Sequence, residues 1–356
     1  MIRLKQFLAT SAIAACAAFF LLPEGKAQKA ETRKGSFEKI KVHGKALEGN
    51  LEGDSPDRDV LIYLPPSYPS SPNRRYPVVY FLHGYGAHAE TYWNSLSVPA
   101  AADAAVADGS AREMILVLPD AHTIYDGSMF SNSLTTGDWE SFVAEDLPAY
   151  IDGHYRTVAN RSARGLAGHS MGGYGTVRIG MKRPDAFSVL YAMSSCCLMN
   201  NPQQLLPGVP AAGKQAPPAA AQTKDKQTKG GGALANALSA QAAAWAPNPQ
   251  NPPQFFDLPT KDGEVQPLIA AKWVTNSPLV MVDQYVPNLK RYRAIGMEVG
   301  TQDPFLMTNT QLDQSLTRLG IHHQFETYDG DHGNRIKARF AEKLLPFFSA
   351  NLVDSK

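Results

Sequence analysis

Unbroken apolar runs alternate with amphipathic and polar stretches along most of the chain. Tyr76 to Leu82, Met114 to Leu118 and Phe187 to Met193 are apolar runs of strand length, the pattern of strands buried on both faces of a sheet. Phe37 to Val42, Val60 to Tyr63, Tyr292 to Val299 and Gln324 to Tyr328 add further strands, and Arg164 to Ala167 adds a short one. Helical patterns lie between them. An alanine-rich stretch runs from about Val98 to Asp108, and Trp139 to Tyr155 sets Phe142, Val143, Leu147, Ile151 and Tyr155 at helical spacing. Tyr174 to Met181, Asn309 to Leu319 and Ile336 to Leu352 complete the series. Strands alternating with helices predict an α/β fold: a mostly parallel central sheet with helices on both faces. In such sheets the chemistry gathers at the carboxyl ends of the strands.

The pattern breaks in two places. Over about 200–270 an insertion interrupts the alternation. Its core, 207–232, is rich in Ala, Pro, Lys, Gln and Gly without apolar periodicity, and reads as a flexible low-complexity loop. A short helix is expected over Ala233 to Ala244, and Leu279 to Val286 reads as helical. Between these, Trp245, Phe255, Phe256 and Leu258 stand in a Pro- and Asn-rich stretch, where they either wall a pocket or fasten the insertion to the body. The second break is the N-terminus. Arg3 and Lys5 precede an apolar run from Phe7 to Leu22, and Gly25-Lys26-Ala27 offers small residues for cleavage. This reads as a signal peptide over 1–27, a catalytic domain over 36–352, and a secreted or periplasmic protein. The run falls short of the ~20 residues a membrane span needs. Ile13-Ala14-Ala15-Cys16 resembles a lipoprotein box, but the apolar run continues past Cys16.

Charge and cysteine content narrow the classes. A formal net charge of +1 gives no broad field for nucleic acid or anionic membrane. Once the signal is removed, Cys196 and Cys197 remain. Adjacent cysteines cannot staple distant segments, so they form either a strained vicinal disulfide or a pair of small buried side chains. The nine histidines are scattered without the spacing of a metal motif. No metal or cofactor is expected.

The chain is organised around Gly168-His169-Ser170-Met171-Gly172. The motif lies between a strand and a helix, the context in which Gly-x-Ser-x-Gly lifts a serine hydroxyl clear of the backbone. A serine nucleophile needs a base, and the base needs a carboxylate to orient it. His332 follows the last strand and is the expected base. His322 and His323 lie at the other end of that strand. Asp303, in the loop after the preceding strand, is the expected acid, ahead of Asp329 and Asp331, which sit too close to His332 in sequence, and of Glu298, which lies within a strand. The expected oxyanion donors are the backbone amides of Met171 and of Tyr85, the latter in the His83-Gly84-Tyr85-Gly86 loop. His169, Trp245, Phe255 and Phe256 are candidate substrate contacts, although the His169 ring should point away from the Ser170 hydroxyl.

As a set, His83-Gly84-Tyr85-Gly86, the helix that starts at Trp139-Glu140, Gly168-His169-Ser170-Met171-Gly172-Gly173, Gly300-Thr301-Gln302-Asp303 and Asp331-His332 resemble the esterase D / feruloyl-esterase-like family of α/β-hydrolases. The resemblance runs from about Arg58 to Leu352. It implies an α/β-hydrolase fold and a serine esterase working through an acyl-serine. The substrate would be a small-acyl or aromatic, feruloyl-like ester, free or carbohydrate-linked. Two alternatives stand beside that reading. One is an acyltransferase of the same fold that passes the acyl group to a sugar hydroxyl. The other is a non-catalytic carbohydrate-binding protein on a hydrolase scaffold.

Overall fold

The computed structural model describes residues 33–200 and 229–354. The expected signal peptide, Cys16 and residues 207–228 of the low-complexity segment lie outside them. Eight strands form the central sheet: β1 (Ser36–His43), β2 (Asp57–Leu64), β3 (Val78–Leu82), β4 (Ile115–Pro119), β5 (Arg164–His169), β6 (Val189–Met193), β7 (Ala294–Gly300) and β8 (Gln324–Tyr328). Their spatial order is β1-β2-β4-β3-β5-β6-β7-β8. β2 runs antiparallel to both of its neighbours, and the other pairings are parallel. This is the α/β-hydrolase arrangement that the resemblance implies.

The central strands are apolar throughout because both sheet faces are covered. Along β3, Val78, Tyr80 and Leu82 enter one core while Val79 and Phe81 enter the other, as side chains on a strand must alternate. On the Val79 face lie α1 (Ala89–Leu96), α2 (Val98–Ala107) and the closing helix α8, whose segments are Ile336–Arg339, Phe340–Leu344 and Leu345–Asn351. On the Tyr80 face lie α3 (segments Trp139–Ser141, Phe142–Asp146 and Leu147–His154), α4 (Met171–Lys182) and α7 (Leu306–Arg318).

α3 and α8 share one irregularity. Each widens into a π turn in which a leucine amide bonds five residues back, Leu147 to Phe142 and Leu345 to Phe340. A proline follows each leucine. Proline has no N–H, and its ring crowds the carbonyl four residues earlier. The wider turn accommodates both problems without ending the helix.

Between β4 and α3 lies a small ribbon, Asn132–Ser133 paired with Gly137–Asp138. Two local expectations change. The single helix expected over Leu279 to Val286 is three short segments, Pro278–Met281, Val282–Tyr285 and Val286–Leu289. Pro287 stands in the first turn of the last segment and cannot donate to a continuous ladder. Residues 229–232, expected in the flexible loop, instead open helix α5 (Lys229–Trp245). Among the described residues no helix is long and apolar enough to cross a membrane.

α3 is tied to α4 by a buried charge cluster. Glu140 is 1% exposed and takes Arg178 Nε on Oε1 at 2.7 Å and Lys182 Nζ on Oε2 at 2.5 Å. Burial alone would raise the Glu140 carboxyl, but Arg178 and Lys182 outweigh it and hold it below its ordinary range. The Asn132 amide also donates to it. Glu140→Ala would strand the buried Arg178 guanidinium. It should destabilise the protein by about 3–5 kcal/mol, read as a lower urea midpoint, whereas a midpoint within error of the parent would show that the cluster is dispensable.

Candidate active site

All the strand-end motifs reach the same edge of the sheet, because β3 to β8 run parallel and each hands its next residues to that edge. At its centre the chain turns from β5 into α4 within one residue. Ser170 sits there with φ 58° and ψ −115°, a strained conformation for a residue with a side chain. The surrounding hydrogen bonds over-determine it. The Ser170 amide donates to the Met193 carbonyl at 3.0 Å, and its own carbonyl accepts from Tyr174 at 2.9 Å and from Cys196 at 3.2 Å. The flanking glycines are required by close approach. A Cβ on Gly172 would lie 1.9 Å from the Leu82 carbonyl oxygen, and one on Gly168 would lie 2.3 Å from the Gly172 carbonyl oxygen.

Ser170, His332 and Asp303 meet in a line. His332 Nε2 lies 2.9 Å from Ser170 Oγ, and His332 Nδ1 lies 2.8 Å from Asp303 Oδ2. A carboxylate only accepts, so Nδ1 carries the hydrogen and Nε2 offers its lone pair to the serine. The Asp303 side chain is fully buried. Burial pushes its carboxyl up, but donation from His332 and from the Phe305 amide at 2.8 Å outweighs burial and keeps it below the usual range. The competing acids are occupied elsewhere. Asp331 accepts the Gly333 and Asn334 amides, Asp329 accepts Gln302 Nε2, and Glu298 is buried in β7 on Arg339 and Tyr191. His323 pairs with Asp313 at the far end of β8.

A further histidine holds this line in place. The His169 ring turns away from the hydroxyl, as expected, but it does not face open space. It is 5% exposed, its Nε2 donates to the His332 carbonyl at 2.8 Å, and its Nδ1 accepts from the Tyr92 hydroxyl at 2.7 Å. Both nitrogens are therefore taken, which removes His169 from the substrate contacts and makes it the clamp on the backbone of His332. Burial, followed by the nearby His332, lowers its pKa to about 3.

His83 follows β3 and is buried. Its Nδ1 donates to the Gly84 carbonyl at 2.9 Å, and its Nε2 accepts the Ala121 amide at 2.8 Å. Burial lowers its pKa to about 4. The Gly84 carbonyl and the Tyr85 N–H belong to one planar peptide, so fixing the carbonyl aims the amide. Among the described residues the Tyr85 amide donates to no other group. Met171 opens α4, where a helix leaves its first N–H groups unpaired. Gly84 is bare because Tyr92 Oη and Ser170 Cβ would lie 2.3 Å and 3.3 Å from a Cβ there. Sequence reasoning gave Tyr92 no role and treated His83 only as part of a turn. No local pattern marks their partners, which are 77 and 38 residues away.

The aromatic residues of the insertion divide. Trp245 is 3% exposed and packs on Tyr174 of α4 and on Trp273 of α6 (Pro267–Thr275), with ring centroids at 5.6 and 5.3 Å, while its Nε1 donates to Ser131 Oγ. It fastens the insertion and contacts no open space. Phe255 takes φ 56° in a turn whose carbonyl accepts Thr135 Oγ1 and the Asn248 amide. Phe256 packs edge-on against Tyr125 at 5.4 Å and forms part of the wall of an open groove of about 730 Å³, with Asn251, Asp257, Lys261 and Leu268. Ser170, Asp303 and His332 do not line that groove.

Comparison with known proteins adds to this geometry. Residues 55–348 match the family model described as "Putative esterase". An endo-1,4-beta-xylanase/feruloyl esterase of Xylanibacter ruminicola is 30% identical over 131 residues, which are 35% of this chain and 18% of that protein. An esterase of Mycobacterium tuberculosis is 30% identical over 124 residues, 35% of this chain and 26% of the relative. The chain thus spans 18% to 26% of the length of these curated relatives. The structure of a ferulic acid esterase superimposes with a TM-score of 0.63 at 21% identity, covering 90% of this chain and 99% of that one, and so shares the fold.

The clamp histidine gives a direct test. With a pKa of about 3, the His169 ring resonances should not titrate by NMR until the pH falls to about 4, a unit above that value. Titration near that of a free histidine would mean that the ring is solvated and the clamp is open.

Proposed function

Given that the chain belongs to the Esterase family, whose model covers residues 55–348, we propose that it is a carboxylic ester hydrolase using Ser170 as nucleophile. The observation that carries this reading is the unbroken line from Asp303 Oδ2 to His332 at 2.8 Å and from His332 to Ser170 Oγ at 2.9 Å. The backbone amides of Tyr85, in the loop after β3, and of Met171, at the start of α4, are the donors assigned to the oxyanion.

The chemistry follows from that line. His332 Nε2 takes the hydroxyl proton as Ser170 Oγ bonds to the ester carbonyl carbon. The carbonyl oxygen gains the electron pair and rests between the Tyr85 and Met171 amides, each worth about 3 kcal/mol of transition-state stabilisation. The tetrahedral species collapses, its carbon–oxygen bond to the alcohol breaks, and His332 returns the proton to the departing alkoxide. Asp303 stabilises the imidazolium in between without taking its proton. Water, deprotonated by the same nitrogen, then attacks the acyl-serine and releases the carboxylic acid. The relative with feruloyl esterase in its name supports small aromatic acyl groups as first substrates. The basic and apolar N-terminal stretch supports export from the cytoplasm.

A fluorophosphonate probe should label the wild type at Ser170 and leave Ser170→Ala unlabelled. The variant should lose at least about 10⁴-fold in turnover of p-nitrophenyl and feruloyl esters. An unlabelled wild type, or a variant with full turnover, would end the proposal. Product analysis with a sugar acceptor present distinguishes hydrolysis from acyl transfer. His83→Phe keeps bulk but loses the donor to Gly84. It should lower kcat by about 10- to 100-fold with KM little moved, because the oxyanion amide loses its aim. A change confined to KM would assign His83 to packing alone.

A further inference from the structure

Cys196 and Cys197 follow β6 and lie against the nucleophile, a placement that neither the family nor the proposed reaction requires. Both are free thiols, and their sulfurs are 2.7 Å apart. Cys196 is buried, and its amide donates to the Ser170 carbonyl at 3.2 Å. Cys197 is partly exposed, has φ 58°, and receives a weak bond from Gln241 Nε2 of α5 at 3.7 Å. One dithiol therefore touches the serine on one side and the insertion on the other.

We propose that this pair is a redox modification site: a small-molecule disulfide such as oxidised glutathione converts it to a vicinal disulfide, and closing the ring impairs Ser170. The proposal rests on the serine esterase reading for its effect on turnover, but not for the chemistry at sulfur. The partly exposed Cys197 gives up its thiol proton to solvent and attacks the disulfide. A mixed disulfide forms and one thiolate leaves. Cys196, deprotonated in turn, attacks the Cys197 sulfur, closing the intrachain bond and expelling the second thiolate. Two electrons pass from the protein to the small disulfide, and two protons end on the released thiols. The order follows access and acidity, since the adjoining Cys197 sulfur and then burial hold the Cys196 thiol above its ordinary range.

Ring closure must move backbone. Ordinary disulfides join α-carbons about 4.4–6.8 Å apart, whereas neighbouring residues hold theirs at about 3.8 Å. The new eight-membered ring contains the Cys196–Cys197 peptide itself. The amide that holds the Ser170 carbonyl belongs to the same segment, so strain passes directly to the turn that carries the nucleophile. The same strain makes the bond easy to reduce, which makes the modification reversible.

The test is made on the whole protein in glutathione buffers from reducing to oxidising. Mass mapping follows the tryptic peptide ending at Lys214, which carries both cysteines and not Cys16. On oxidation it should become lighter by two hydrogens, and ester turnover should fall about tenfold or more, the scale of a displaced nucleophile. Dithiothreitol should restore both. Cys197→Ser should show no oxidative loss relative to its own reduced state. A peptide that stays reduced, a glutathione adduct in place of the ring, a ring without loss of turnover, or an equal loss in Cys197→Ser would each overturn the proposal. Fluorophosphonate labelling of the reduced enzyme reads the esterase assignment separately. If that labelling fails, the peptide mass still reports whether the dithiol is oxidised.

Discussion

The whole site depends on one backbone-to-backbone contact. Gly172, in the first turn of α4, lies so close to the end of β3 that no side chain fits between them. That contact puts the serine turn against the loop that follows Leu82. It also fixes where Ser170 Oγ points, and His332 must come to meet it. The strained φ of Ser170 persists because three backbone hydrogen bonds and the glycine packing leave no alternative. The sheet cores and the Glu140 cluster serve this contact by holding β3, β5 and α4 in register.

Around that contact the site is a rigid frame of neutral rings. His83 fixes the Gly84–Tyr85 peptide, and His169 with Tyr92 fixes the backbone of His332. Both histidines are kept uncharged by burial. A charged His169, with its ring centroid 4.7 Å from that of His332, would set like charges side by side whenever His332 carries a proton on both nitrogens, and burial keeps His169 neutral.

The strand ends of the fold were legible because strictly apolar runs admit few other placements, and parallel strands carry their trailing loops to one edge. Ser170, Asp303 and His332 could be named in sequence for that reason: each follows a strand, and the structure brings the three together. The clamps were not legible. Tyr92 reaches His169 across 77 residues, and nothing in either local pattern marks the pair. The aromatic residues of the insertion left two readings open in sequence, a pocket wall or a fastening to the body; Trp245 packs on Tyr174 and Trp273, while Phe256 lies in a groove wall. Composition alone cannot distinguish an aromatic that lines a cavity from one that anchors a loop. The π turns escaped notice because a helical period looks the same through one widened turn.

The anchoring of Trp245 divides the insertion by how freely it can change. Trp245 packs on Tyr174 of α4, and the Ala243 carbonyl accepts Ser133 Oγ of the small ribbon. From Asn251 to Ile269 the chain instead surrounds an open groove that contains none of the catalytic side chains. Within that stretch Phe256 packs on Tyr125 and the Phe255 carbonyl holds Thr135, whereas Leu258 and Leu268 stand exposed, so the room for change lies in the outer wall of the groove and not in the two phenylalanines.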